Sequence, residues 1–139
     1  MDVESPRTEV SKTKEAHPNV KLITEAVEAV NRNDFEALKQ VMSEDVVYRI
    51  YGRGPMAGIY KGHEGFKRIL EVVKGVVNIR PLVVVADDEH VFMLARLSGR
   101  RKGKVLDTEN CYFYRVKDGK LVEGRNMPTD QYAFDEFWS

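Results

Sequence analysis

The chain has one cysteine, Cys111, so it cannot close a disulfide on itself. Its three histidines, His17, His63 and His90, are scattered. No Cys-x-x-Cys or His-Glu-x-x-His spacing occurs, and no metal site is predicted. Excess charge is missing too: 22 basic residues offset 22 acidic ones, for a formal net charge of +0. Attachment to nucleic acid or to an anionic membrane by charge needs a basic excess or a basic face, so neither partner is expected. The one basic cluster, Arg100-Arg101-Lys102 with Lys104, reads as a solvated hairpin tip. No apolar run reaches the length that spans a bilayer. The opening Met1-Asp2-Val3-Glu4 lacks an apolar stretch of the secretory type, which predicts a cytoplasmic protein.

What is present is an ordinary globular composition, 42% hydrophobic and 32% charged over 139 residues, enough for one domain with a real core. Residues 1–16 are polar without apolar periodicity and read as a flexible tail; residues 17–139 read as a single domain. Pro18 suits the first turn of a helix whose apolar stripe is Val20, Ile23, Val27 and Val30. Asn33 with Glu36 has capping-box spacing for a second, short helix. Ser43-Glu44-Asp45 reads as a turn, Val46–Tyr51 as a strand, and Gly52–Gly62 as a loop. A third helix is predicted over His63–Lys74, with Phe66, Ile69, Leu70 and Val73 on one face.

Four strand-like stretches then fill Ile79–Pro128, with turn signals at Asp87-Asp88-Glu89, Gly99–Gly103 and Asp118-Gly119. Cys111 falls within one of them and is predicted to be buried and inert. Short connections make antiparallel neighbours. The whole is α+β: a mostly antiparallel, strongly curved sheet wrapped as a cone around three N-terminal helices, with a cavity at its open end. Tyr132, Phe134, Phe137 and Trp138 crowd a short last segment and suit core or interface packing.

Several stretches resemble the SnoaL-like branch of the nuclear transport factor 2-like superfamily, whose members include ketosteroid isomerases, polyketide cyclases and limonene epoxide hydrolase. They are His17-Pro18-Asn19-Val20, Asn33-Asp34-Phe35, Ser43–Tyr48, Gly54–Gly62 and Asp130–Trp138. The resemblance implies the cone-shaped α+β barrel of cystatin-like folds, an apolar pocket inside it, and a homodimer through the outer sheet face. Carried over by residue, the hydrolase pattern keeps Tyr48 but has Ile50 in place of an Asn. It has Arg96-Leu97-Ser98 where the family has Arg-x-Asp, and Asn126 where it has a second Asp. Epoxide hydrolysis by that charge scaffold is disfavoured. The ketosteroid isomerase pattern also fails, since the first helix has no Tyr and no inward Asp pair is evident.

Strand residues two apart share a face. Matching to the family turns Tyr48, Arg96 and Asn126 inward as the candidate catalytic set. Ile50, Phe66, Leu70, Leu94, Ser98, Asn110 and Tyr112 are then the candidate ligand-binding set. The competing reading puts Arg96 on the outer face, paired with Glu109 or Glu123, because a one-residue slip reverses every assignment. His63 reads as a surface residue at a helix start.

The function expected is a small-molecule enzyme without cofactor: an isomerase, cyclase or dehydratase acting on an apolar, ketone-bearing compound. Arg96 and Tyr48 would stabilise an oxyanion. A non-catalytic binder of a small apolar molecule and a dimeric scaffold are the alternatives. The homodimer is also argued from Val91, Met93, Ala95 and Leu97, which are apolar at the parity opposite to the proposed pocket set.

Overall fold

The computed structural model describes residues 17–139; the expected tail, residues 1–16, lies outside them. Helix α1 (Pro18–Arg32) begins at His17, whose Nδ1 accepts the backbone N–H of Asn19 at 3.0 Å. It ends at Asn33, which takes the left-handed conformation (φ 56°) that Asn tolerates. Asn33 is thus a stop and not the expected start. The next residue, Asp34, caps α2 (Phe35–Val41) by accepting the N–H of Ala37 at 3.0 Å. Asn33 Nδ2 also donates to Leu70 O at 2.9 Å, tying α1 to helix α3 (Gly62–Val73).

The strands are β1 (Met42–Ile50), β2 (Gly58–Lys61), β3 (Val77–Ala86), β4 (His90–Arg101), β5 (Lys104–Lys117) and β6 (Lys120–Pro128), and helix α4 (Gln131–Trp138) follows them. They form one sheet in the order β2-β1-β6-β5-β4-β3. All neighbours are antiparallel except β1 and β6, which run parallel. The α+β architecture agrees with the sequence reading, but the sheet is not closed: β2 and β3 are its edges. Two local readings are corrected. Strand β1 starts at Met42, so Ser43-Glu44-Asp45 is strand and not turn. The presumed loop contains β2, pairing Tyr60 with Tyr48.

Positive φ at Asp118 (52°) and Gly119 (76°) fits the expected β5–β6 hairpin turn. Strand β3 tolerates Pro81 because it is an edge strand, and its register shifts between Pro81 and Val83. A bulge of this kind bends the strand and increases twist, which helps the sheet curl over the helices. The core lies inside that curl, with Ile23, Ala29, Leu38, Val46, Val91 and Leu121 almost fully buried. No helix among the described residues is long and apolar enough to cross a membrane.

Candidate functional site

The inner face of the sheet is a grid set by strand register. In one row Tyr48 of β1 lies beside Gly124 of β6, then Tyr114 of β5, then Val91 of β4. In the next row Ile50 lies beside Asn126, then Tyr112, then Met93. Asn110 follows two residues along β5, opposite Ala95 and Pro128. Gly124 is the gap that lets the rings lie down. A Cβ there would stand 2.6 Å from Tyr48 Cδ1 and 2.8 Å from Tyr114 Cε1. Only a residue without a side chain permits both rings over that point.

Above this grid lies a cavity of about 60 Å³. Helices α1 to α3 line it with Ala26, Val27, Val30, Leu38, Phe66, Ile69 and Val73. The sheet contributes Met42, Tyr48, Ile50, Val77, Ile79, Met93, Leu97, Tyr112, Tyr114 and Asn126. Met56 and, from α4, Phe134 and Trp138 complete it. The volume is below the roughly 150 Å³ of an apolar hole that accepts benzene. A larger guest must therefore displace a lining group.

Among the described residues, no carboxylate, imidazole, ammonium or guanidinium lines the cavity. Its polar side chains are the phenols of Tyr48, Tyr112 and Tyr114, the amide of Asn126 and the indole of Trp138, whose buried N–H has no partner among the described residues. Burial is the main reason that the Tyr48 and Tyr112 phenols titrate well above the usual tyrosine range, with the neighbouring tyrosines adding to it. Burial pushes the Tyr114 phenol up to about 12. All three remain neutral donors at ordinary pH. Tyr48 meets Phe66 edge to face at 4.9 Å between ring centroids, and the Tyr112 and Tyr114 rings are nearly parallel at 6.4 Å. The arrangement can grip a flat apolar molecule and offer hydrogen bonds to an oxygen on it. Among the described lining residues, none is a carboxylate or imidazole that would take a proton.

The structure brings together Tyr48, Ile50, Phe66, Tyr112 and Asn126 around the cavity. Asn110 lies behind them, 0% exposed, with Nδ2 donating to Asn126 Oδ1 at 2.7 Å. Leu70 is buried in the core without lining the cavity. Arg96, Leu94 and Ser98 are on the opposite face, a correction with one cause. In β4 the buried residues are Val91, Met93, Ala95 and Leu97, so the assumed parity of that strand was off by one. Arg96 instead bonds Asp107 Oδ1 through Nε at 2.8 Å and approaches Glu109 at 4.0 Å. The dimer argument built on Val91, Met93, Ala95 and Leu97 falls with it, since these four face the helices. Cys111, read as buried, is exposed on the outer face. His63 does not itself line the cavity; its Nε2 sits 3.0 Å from the backbone oxygen of Met42, which does.

Three features were not found from sequence. Gly124 carries no local signal of what lies over it. Met56 sat in a stretch read as loop. The third is the role of the basic cluster, which is not merely a solvated tip. Arg101 donates to Phe137 O at 3.1 Å and Ser139 O at 2.9 Å, and Lys104 to Glu136 O at 2.8 Å. These cations hold the carbonyl end of α4, where the helix dipole favours positive charge. At the other end Gln131 donates to Tyr51 O at 2.9 Å, and Asp135 accepts the N–H of Arg53 at 3.1 Å. The aromatics of α4 are thereby pressed onto the cavity.

Comparison with known proteins places this geometry among relatives. Residues 23–124 match the family model of the SnoaL-like domain. An uncharacterised protein of Mycobacterium tuberculosis is 25% identical over 123 residues, covering 85% of this chain and 94% of that protein. The solved structure of Bal32a, from a soil-derived mobile gene cassette, is 29% identical with a TM-score of 0.83, covering 90% of this chain and 99% of that one. A protein from Jannaschia sp. CCS1, provisionally classed as a SnoaL-like polyketide cyclase, shares the fold at 17% identity and a TM-score of 0.73, covering 88% of this chain and 92% of that one.

Proposed function

The chain belongs to the SnoaL-like domain family, and on that premise we propose that its cavity binds one compact, apolar, carbonyl-bearing molecule and polarises the carbonyl oxygen. The reaction class would be isomerisation, cyclisation or dehydration. The observation that carries the reading is the cavity lining: mostly apolar, with neutral donors at Tyr48 and Asn126 on diagonal positions of neighbouring strands in the inner grid. Convergent polar groups in an apolar hollow are the usual make-up of a small-ligand site. Donors aimed at a carbonyl oxygen stabilise the negative charge that develops there when an adjacent C–H or C–C bond changes.

Non-catalytic binding of the same kind of molecule is the second reading. It is favoured by one observation, the absence of a carboxylate or imidazole from the lining. The test is calorimetric titration with cyclohexanone, followed by proton exchange at its α-carbons in heavy water. Binding weakened about tenfold in Tyr48→Phe supports the carbonyl site, since one hydrogen bond to a ligand is worth on the order of 1 kcal/mol. Binding indifferent to both Tyr48→Phe and Asn126→Leu overturns it. Accelerated exchange supports the enzyme; binding without exchange supports the non-catalytic alternative.

We propose, further, that two copies pair through the outer sheet face. Its centre is apolar: Val83, Leu94, Cys111 and Met127 form one row, and Val85, Phe92 and Phe113 the next. Mixed charges flank it, Arg96 with Asp107 on one side and Arg115 with Glu123 on the other. A face with both signs at its rim can meet a second copy of itself without like-charge repulsion.

A further inference from the structure

Asn110 is fully buried in β5, and one of its two polar atoms has no partner. Its Nδ2 donates to Asn126 Oδ1 at 2.7 Å, while its Oδ1 accepts from no described residue. The two ends of an amide have nearly the same size, so packing alone does not decide which end faces where; hydrogen bonds do. Two linked amides have two consistent arrangements. In the observed one, Asn126 commits its oxygen to Asn110 and has its Nδ2, which bonds no described residue, left for the cavity it lines.

With both amides turned over, Asn126 would donate to Asn110 and present its oxygen to the cavity. Asn110 would then turn its buried NH₂ to the place of the present Oδ1, where its cross-strand neighbours, Ala95 and Pro128, offer no side-chain acceptor. Orphaned buried N–H groups are rarer than under-satisfied oxygens. The surroundings of Asn110 therefore favour the observed arrangement.

We propose that Asn110 is a positioning residue that fixes Asn126 as a hydrogen-bond donor toward the cavity, so that the site prefers a carbonyl to a hydroxyl on the same carbon skeleton. The proposal rests on the reading above that Asn126 meets the ligand. A carbonyl accepts from Nδ2 and cannot donate. Were the amide reversed, the carbonyl would face the Asn126 oxygen and be repelled, while a hydroxyl could donate to it. Two apolar side chains would fill the same space and leave no orphan atom, so packing alone does not ask for this pair.

The test has two arms. In protein labelled with ¹⁵N and ¹³C, scalar coupling across the side-chain hydrogen bond should run from Asn110 Nδ2 to Asn126 Cγ. Coupling from Asn126 Nδ2 to Asn110 Cγ, or none in either direction, overturns the proposal without any ligand. The second arm compares affinities for cyclohexanone and cyclohexanol in the wild type, Asn110→Asp and Asn110→Leu. Burial raises the carboxyl pKa, so the comparison is made above that raised value, where the ionised carboxylate can only accept and draws Asn126 Nδ2 away from the cavity. The ketone-over-alcohol ratio should then fall about tenfold, the size of one hydrogen bond. Asn110→Leu releases the amide, should bring the ratio towards unity, and decides the matter if the aspartate variant does not fold. A ratio unchanged in the folded variants overturns the proposal. If the wild type binds neither compound, the carbonyl reading fails, and the coupling alone decides the role of Asn110.

Discussion

Arg96 and Asp107 face each other on adjacent strands of the outer sheet surface, with Nε 2.8 Å from Oδ1 and the arginine side chain 40% exposed. Exposed ion pairs of this kind contribute little. Arg96→Met should therefore leave affinity for the cavity ligand unchanged and move the melting temperature by less than about 3 °C. The hydrogen bond from Arg96 holds the Asp107 carboxyl below its ordinary range. A carboxyl depressed in the folded state stabilises above its unfolded pKa, and that gain is lost as pH falls through the folded value. The difference between wild type and Arg96→Met should accordingly be full at neutral pH, start to shrink near about pH 4, the ordinary aspartate range, and vanish only below the depressed folded value. A loss of ligand binding in the variant would contradict the placement of Arg96.

The interior phenols predict the opposite dependence. Tyr48, Tyr112 and Tyr114 all titrate higher in the fold than in an unfolded chain, chiefly because burial disfavours the phenolate. A raised pKa gives stability that is complete below the unfolded value and is lost as pH climbs through the folded one. Stability should fall above about pH 10, where unfolded tyrosine releases its proton. Denaturant melts at stepped alkaline pH would show this. Tyr114→Phe should flatten the decline between pH 10 and about 12, its folded value. An unchanged slope in that variant would refute the burial argument.

Gly124 controls the floor of the cavity. In Gly124→Ala the new methyl meets the Tyr48 and Tyr114 rings at distances that real atoms do not tolerate, so the rings must rise into the cavity. Overpacking of this sort costs about 1–3 kcal/mol. Ligand binding should be abolished while the protein still folds, as read by calorimetry beside a denaturant melt. Normal affinity would mean that the rings have another place to go.

Assembly is tested at Phe92, which is 52% exposed in the centre of the outer apolar rows. Light scattering at micromolar concentration should give a dimer for the wild type and a monomer for Phe92→Glu. Cavity ligand affinity should be retained in that variant, because Phe92 points away from the cavity. A monomeric wild type would remove the pairing proposal.

The sequence was most legible where apolar and polar residues alternate. In β5 the buried residues Asn110, Tyr112, Tyr114 and Val116 fall at every second place, and the expected face is the observed one. Strand β4 gave no such guide, because Val91 to Ala95 is apolar at every position and both parities look equally buried. The choice there hung on Arg96 alone, and a one-residue slip carried Leu94 and Ser98 with it. Strand β2 has four residues, none buried, on an edge, so it presents no alternation to read. Asn33 and Asp34 are adjacent and both suited to capping. Spacing favoured the first, but the left-handed turn between the helices took it. Tyr48 and Asn126 could be matched by family likeness, whereas their placement on neighbouring strands of one inner face depends on the pairing of β1 with β6, which no local pattern encodes.

That pairing also orders the events of folding. Strands β3 to β6 are joined by short turns and can zip together from local contacts, and β1 can fold back on β2. The parallel seam of Tyr48 with Gly124 must wait until the chain between them has been made and arranged, and contacts so distant in sequence form slowly. On the ribosome, α1, α2 and β1 emerge with their apolar sides uncovered long before β6 exists to receive them. This is the interval in which the nascent chain is most exposed to aggregation and most in need of a chaperone.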